Sequence, residues 1–507
     1  ISLYDPIISA DGDVTLGDYT GAALKIEATG SITAGNIQIT SPDFTFSSAP
    51  ANADQALLAS SSALILRAGV TTLEETTLVS NPSPTPPFDY TDPGSGTTFT
   101  GTAASSPATI TVGNIDTFGF GGETVSQDGG PVVLTAPGDI KTGGINTYSL
   151  NASRTANGGD VQITSAAGSV TTQLINTFLQ TSGGGGFVGK AGDVNISAAT
   201  GIATDAINAS ASATEVDGTA SVTGGQVTLQ TLNPDSNISF ASIDTQATTD
   251  AFDGNVGQGG AVQVLARGLV QGTGTVMATG DTINSGGTTA GGSITVQHNG
   301  GPNNVDFVVG DPTINGTAAG LNAGPADIIA VGNSFPVLPS DGSASGTPAG
   351  VQIVSINTAP TITTPSLLSG AQQDQPFTFT FSATPGDLNS DGSTDNTTVL
   401  LDSVLTGTLQ RGSTVLGPGD VLVSGETLVY TPPAGTSGSL DVLRIKSSDR
   451  VSLSSLAAIA IDVQAPTPPP DPIPTPTPTP IPIPTPIPTP VPIPTPIPTP
   501  TPVPTPT

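Results

Sequence analysis

A single six-residue phrase recurs six times between residues 129 and 296: two small residues, a spacer, then two aliphatics one residue apart. The copies are GGPVVL (129–134), GGDVQI (158–163), AGDVNI (191–196), GGQVTL (224–229), GGAVQV (259–264) and GGSITV (291–296). Their starts lie 29, 33, 33, 35 and 32 residues apart. Self-similarity at such a period means stacked units, none of which can bury its apolar face alone.

Within one period, 158–190, Val161 and Ile163 alternate with polar neighbours, then Val170 and Thr172, then Ile175 and Thr177. That is the strand period of two, and it predicts two or three short strands per unit. Gly, Thr, Asn and Ser saturate the chain and no 3.6-residue apolar pattern persists, so helix is not expected. A second phrase recurs as IDTF (115–118), INTY (145–148), INTF (175–178), INAS (207–210) and IDTQ (243–246). With Ile inward, Asn146, Asn176 and Asn208 are expected to stack in a side-chain ladder, which Asp116 and Asp244 would interrupt. A period near 32 residues suits a three-sided parallel β-helix. Roughly ten coils at about 4.8 Å spacing give a rod on the order of 50 Å long.

The remaining segments differ in character. Residues 1–340 carry the repeats, with a turn-rich, Pro-containing loop or hairpin near 80–100 that leaves the coil. Residues 299–350 lose the phrase and read as an irregular cap over an otherwise open strand edge. After a linker at 341–357, residues 358–464 turn to longer apolar strands: FTFTFSA (377–383), TTVLLDSV (397–404), DVLVSGETLVY (420–430), SLDVLRIKSSD (439–449) and LAAIAIDV (456–463). Strands at that spacing predict an immunoglobulin-like sandwich. Residues 465–507 alternate Pro with Thr, Ile or Val, which no core or sheet can use, and a polyproline II stalk is expected. The fold class is therefore all-β.

Composition narrows the function. The 507 residues include 63 Gly, 47 Pro and no Cys, so turns dominate and thiol chemistry is excluded. Forty acidic residues against ten basic ones leave a formal charge of −30, which repels nucleic acid and anionic membrane and attracts divalent cations. No run of 18 apolar residues is present, so no span of a bilayer is expected. The chain opens at Ile1 and stops inside the Thr-Pro alternation, which reads as a mature or excised piece.

The segment YDPIISADGDVTLGDYTGAALKIEATGSITAGNIQIT (4–40), with the two recurring phrases, resembles the filamentous-haemagglutinin-type exoproteins of cyanobacteria. That resemblance implies a right-handed parallel β-helix, secreted to the cell surface or medium, with adhesive or matrix roles. GETLVYTPPAGTSGSLDV (425–442) and the later Ser448–Asp449 are similar to cadherin-like domains of bacterial surface proteins. Both resemblances concern architecture, which does not by itself fix activity.

The sharpest local signal is GDLNSDGSTD (386–395), where Asp387, Asn389, Asp391 and Asp395 fall at the alternate oxygen positions of a calcium loop around Gly392. Thr398 stands where such a loop has its bidentate Glu, so weak Ca2+ binding is expected, the bland alternative being an acidic turn. His298, the only histidine, reads as a solvated strand-end residue. Lys25, Arg67, Lys141, Arg154, Lys190 and Arg267 are the basic residues of the repeat region, and none is expected in an acid-rich cluster of the kind a lyase uses. Asp160 and Asp193 share a coil position, but a turn preference explains them as well as a paired-carboxylate site does. The expectation is an extracellular structural or adhesive surface protein, a matrix component or filament-forming subunit, and not an enzyme. Self-association and contact with surface or matrix glycans are the expected partnerships, the ends of the β-helix and the stalk being the expected routes to filaments. The alternative is a polysaccharide-acting β-helix lyase or hydrolase.

Overall fold

The computed structural model describes residues 7–44, 50, 52–73, 88–91, 98–102, 104–120, 128–150, 155–182, 186–214, 218–250 and 254–467. Its regular structure is nearly all strand, gathered into long parallel sheets that fit a parallel β-helix. The first sheet has 11 strands, the second 13 and the third 10, and successive coils contribute one strand to each. Each repeat phrase supplies a first-sheet strand: Val132–Ala136, Val161–Ser165, Val194–Ala198, Val227–Thr231, Val262–Leu265 and Ile294–His298. Val161, Val194, Val227, Val262 and Ile294 pair in unbroken register, all at most 1% exposed, forming the single inward column that the shared phrase position demands. In the third sheet Ile115, Ile145, Ile175, Ile207, Ile243 and Ile283 form a matching column. Each fully buried aliphatic contributes about 1.5–3 kcal/mol, so the stack is held by many equal increments.

The two phrases are halves of one device. Gly159, Gly192 and Gly260 donate their N–H groups to the carbonyls of Thr147, Thr177 and Thr245 at 2.7–2.8 Å. In return the hydroxyls of Thr147, Thr177 and Thr245 donate to the carbonyls of the same three glycines at 2.5, 2.7 and 2.7 Å. These bonds close each coil across its interior. They also explain the second glycine of the phrase: a Cβ on Gly192 would sit 2.1 Å from the Gly159 carbonyl oxygen.

The acidic residue that precedes many strands caps the following coil. Asp128, Asp139, Asp160 and Asp193 accept the backbone N–H of Asn157, Ser169, Asp193 and Gln226 at 2.7–2.8 Å. Asp160 and Asp193 are therefore turn caps, and the turn preference accounts for them.

Several expectations are corrected. The periods between 129 and 258 hold five strands, not two or three, while the coils at 7–22, 24–41 and 259–290 hold three. In 158–190 the five are Val161–Ser165, Ser169–Thr172, Ile175–Asn176, Leu179–Ser182 and Phe187–Lys190. The last two join five- and four-stranded sheets around a small core of Ala156, Leu179, Phe187, Ala211, Ala220 and Val222. A helix does form, Ala53–Ser60, capped by Asn52, whose side chain accepts the Gln55 N–H at 2.8 Å. It lies over the outer face of the first sheet near its start, so strand Leu24–Ala28 is buried on both faces. Asp116 continues the amide ladder instead of interrupting it, whereas the ladder breaks at Asn208 and Asp244 begins a separate pair beyond it. A carboxylate accepts what an amide donates, and Asn146 Nδ2 reaches Asp116 at 2.6 Å, as Asn284 Nδ2 reaches Asp244 at 3.0 Å. Asn176 Nδ2 continues the ladder to Asn146 at 2.9 Å, while Asn208 turns its oxygen to the Ser210 hydroxyl at 2.7 Å.

Both ends of the stack carry antiparallel strands. Thr98–Thr102 runs antiparallel to Asp13–Leu16 and pairs with Phe88–Thr91, so a hairpin edges the second sheet. Residues 80–87 and 92–97 of that expected insertion lie outside the described residues. At the other end Gly342–Ser343, Ser334–Phe335 and Ile328–Ile329 lie antiparallel against the last strands of the first, second and third sheets. Beyond it, strands between Leu367 and Gln464 form a five-stranded and a four-stranded sheet. They enclose one core that includes Phe379, Phe381, Leu401, Leu428, Tyr430, Val442, Ile445 and Ile461. The stalk sequence from 468 onward lies outside the described residues.

Candidate metal centre

Strand Thr398–Val404 pairs antiparallel with Gly438–Ser448, and the Thr398↔Ser448 match brings Asp449 beside the loop 386–395. Gly392 turns that loop at φ 86, a value that favours glycine. Carboxylate oxygens of Asp387, Asp395 and Asp449 come within 4.8 Å of one another, and all three residues are buried. Two further side chains arrive from the β-helix. Asn304 ends the 3-10 turn Gly301–Asn303 in the closing cap, and Asn357 follows the last parallel strand of the first sheet, Val351–Ser355.

The amide nitrogens of these asparagines bind the cluster. Asn304 Nδ2 donates to Asp395 Oδ2 at 2.8 Å and to the Asp449 carbonyl at 3.0 Å, and Asn357 Nδ2 donates to Asp449 Oδ2 at 3.4 Å. Asp449 also caps its own turn, accepting the Val451 N–H at 2.8 Å and the Ser452 hydroxyl at 2.6 Å. Five oxygens receive nothing: both of Asp387, Oδ1 of Asp395, and Oδ1 of Asn304 and Asn357. Asp387, Asp395, Asn304 and Asn357 are only 7, 8, 7 and 0% exposed, so water does not freely compensate them. Burial, with repulsion from Asp395 and Asp449, pushes the Asp387 carboxyl up to about 7. Burial also raises Asp395, and Asp449 and Asp235 push the same way, against hydrogen bonds from Asn304 and Asn389. Crowded carboxylates with unused oxygens form an all-oxygen donor set suited to a hard divalent cation such as Ca2+.

Of the four residues expected from the sequence, the fold brings Asp387 and Asp395 together. Asn389 is used otherwise: its Oδ1 accepts the Thr358 N–H at 2.7 Å and its Nδ2 donates to Ser393 Oγ at 3.1 Å, pinning the loop to the chain that enters it. Asp391 caps its own turn through the Ser393 N–H at 3.0 Å and hydroxyl at 2.6 Å. The loop is thus a turn contributing two carboxylates, and Asp449, Asn304 and Asn357 complete the group. Ser448–Asp449 stood in the segment that resembles cadherin-like domains. Nothing local marks Asn304 or Asn357, since both are recruited by tertiary structure.

Two other readings change. His298 is not solvated but fully buried, its Nδ1 3.2 Å from Asn315 Nδ2 and its ring 5.6 Å from that of Phe307. Burial lowers it to about 4, so it is a neutral core residue. Lys25 and Arg67 do sit among carboxylates. Lys25 Nζ lies 2.7 Å from Glu27 and 2.8 Å from Asp54, and Arg67 pairs with both acids. Lys25 and Glu27 are 0 and 1% exposed beneath the helix, where no glycan reaches them. Lys190 pairs with Asp193 at 2.7 Å on the surface. The chain matches no protein-family model, and no curated protein or solved structure is found to be similar to it.

Proposed function

We propose that this chain is an extracellular structural or adhesive surface protein, a matrix component or filament-forming subunit. In this reading a right-handed parallel β-helix of the filamentous-haemagglutinin type carries an immunoglobulin- or cadherin-like sandwich and a polyproline II stalk. The observation that carries it is how the rod spends its polar groups. Asp128, Asp139, Asp160 and Asp193 repeat on coil after coil as turn caps, so they are spread along the stack instead of converging on a cleft. Such a surface suits repeated contact with an extended partner such as a matrix glycan. Where copies associate, the end closed by three antiparallel strands offers no parallel edge, so the contact runs through the sides, the stalk or the opposite end, where Ile7–Ala10 and Tyr19–Ala22 are the outermost described strands of the first and third sheets.

The test is adhesion of the purified chain to immobilised matrix polysaccharides, with electron microscopy of the same material. Retention on glycan surfaces or ordered filaments is expected, with no sugar fragments released. Fragment release from a polysaccharide panel, abolished by one point substitution, would replace this reading with the lyase or hydrolase alternative.

A further inference from the structure

We propose that Asp387, Asp395, Asp449, Asn304 and Asn357 form one Ca2+ site whose ion locks the two-sheet unit onto the closing cap of the β-helix. This goes beyond the adhesive role, and it holds or fails independently of what the rod adheres to.

The argument starts from where the five residues come from. Asn304 belongs to the β-helix cap, Asn357 to the segment joining the two parts, and the three aspartates to the two-sheet unit. A cation held by all five bridges three separate stretches of chain. Acidic clusters alone carry no such conclusion, but Asp387 is 7% exposed with both carboxylate oxygens unpartnered and within 4.8 Å of the others. The unpartnered Oδ1 atoms of Asn304 and Asn357 sit on the very amides that touch Asp395 and Asp449. Rotation of either amide by half a turn exchanges N for O and turns a carbonyl oxygen toward the carboxylates, an arrangement that a positive ion between them stabilises.

The basic side chains nearby answer a different need. Arg267 Nη1 donates to the Asp391 carbonyl at 2.6 Å, and Arg450 Nη1 to the Asn303 carbonyl at 3.2 Å. Both clamp backbone across the same joint. Direct bonds already cross it, with the Asn396 N–H on the Pro302 carbonyl at 2.7 Å and Ser390 bonded to Asp341. The joint is therefore preformed, and the ion supplies the charge its centre lacks. Five ordinary acceptors and no bidentate Glu from the loop point to affinity in the range of extracellular modules, about 0.1–1 mM.

The experiment uses the full chain, stripped of metal with a chelator. Calorimetry with CaCl2 compares it with Asp387→Asn, and with Asp160→Asn as a control for general attraction to a polyanion. Hydrogen exchange follows the backbone amides of 355–360 in both conditions. One Ca2+ per chain is expected, weakened about tenfold or more by Asp387→Asn and unchanged by Asp160→Asn. Added Ca2+ should slow exchange at 355–360 in the original chain and not in Asp387→Asn, which is near-isosteric and relieves repulsion, so it folds. Equal loss of binding in both variants, or none in either, overturns the site. Binding that leaves exchange at 355–360 unchanged overturns the lock.

Discussion

Gly192→Ala tests the cross-bracing of the coils most directly. The added methyl would lie 2.1 Å from the Gly159 carbonyl oxygen and 2.6 Å from its carbon, so the two backbones must separate. They are held by Gly192 N–H on the Thr177 carbonyl at 2.8 Å, by Val161 N–H on the Asp193 carbonyl at 2.7 Å, and by the Thr177 hydroxyl on the Gly192 carbonyl at 2.7 Å. Overpacking costs about 1–3 kcal/mol, and loosening one of these bonds adds about 1 kcal/mol. About 3 kcal/mol is expected. The amides of Val161 and Gly192, which join the two coils, should then exchange with solvent about a hundredfold faster, as measured by native-state hydrogen exchange. Gly144→Ala is the control, its nearest neighbour being the Leu174 carbonyl oxygen at 3.6 Å, and it should change exchange little. Gly158→Ala should be intermediate, because Ala191 occupies the matching first position of the phrase in the next coil. Equal effects of Gly192→Ala and Gly144→Ala would refute the argument that close approach, and not turn geometry, demands the second glycine.

Lys25→Met should cost about 3–5 kcal/mol in urea unfolding, since it removes the buried cation held between Glu27 and the helix residue Asp54; a change under about 1 kcal/mol would mean the cluster behaves as a surface one. Acidification should destabilise the chain through His298. Its folded-state value, lowered to about 4, lies below the ordinary 6.5, so the unfolded chain takes up the proton first and stability is lost as pH falls from 6.5 to 4. Asp387 has the opposite sign. Raised to about 7 from 3.8, it makes the calcium-free chain less stable as pH rises through that interval. The two windows overlap and their slopes oppose, so in thermal unfolding between pH 7 and 4 the calcium-free Asp387→Asn chain should lose more stability than the original chain and His298→Gln less; unchanged profiles in both would assign the pH dependence elsewhere.

How much of this was legible in the chain depends on the range of the interactions. The first- and third-sheet columns were readable because the phrase repeats its own register: Val161, Val194 and Val227 stand where they must if coils stack. The extra strands Leu179–Ser182 and Phe187–Lys190 were not, since their core is largely alanine and gives no aliphatic alternation to read. The helix Ala53–Ser60 is eight residues long, too short for a helical period to show. His298 ends a strand in polar sequence, and its burial comes from Phe307 and Asn315, contributed by the cap that folds back over it. The carboxylate loop was legible as a loop, but its partners lie up to 91 residues away in sequence.

The contrast between the two uses of aspartate bears on what the junction is for. A capping carboxylate such as Asp139 accepts the Ser169 N–H and hydroxyl, and these bonds hold it below its ordinary value, so its charge stabilises the turn at neutral pH. With 40 acidic residues and a net charge of −30 in the whole chain, this is how the rod keeps its negative groups useful and apart. Asp387 is the reverse case: it caps nothing, receives no donor, and is pushed toward neutrality by its neighbours. A turn cap lost to Asn would still accept its N–H, whereas Asp387→Asn removes only repulsion. A chain able to cap so many turns with aspartate would have no structural reason to bury three where they oppose one another. The proposed cation would answer that repulsion, adding its charge to a joint that direct bonds such as Arg267 to the Asp391 carbonyl already hold.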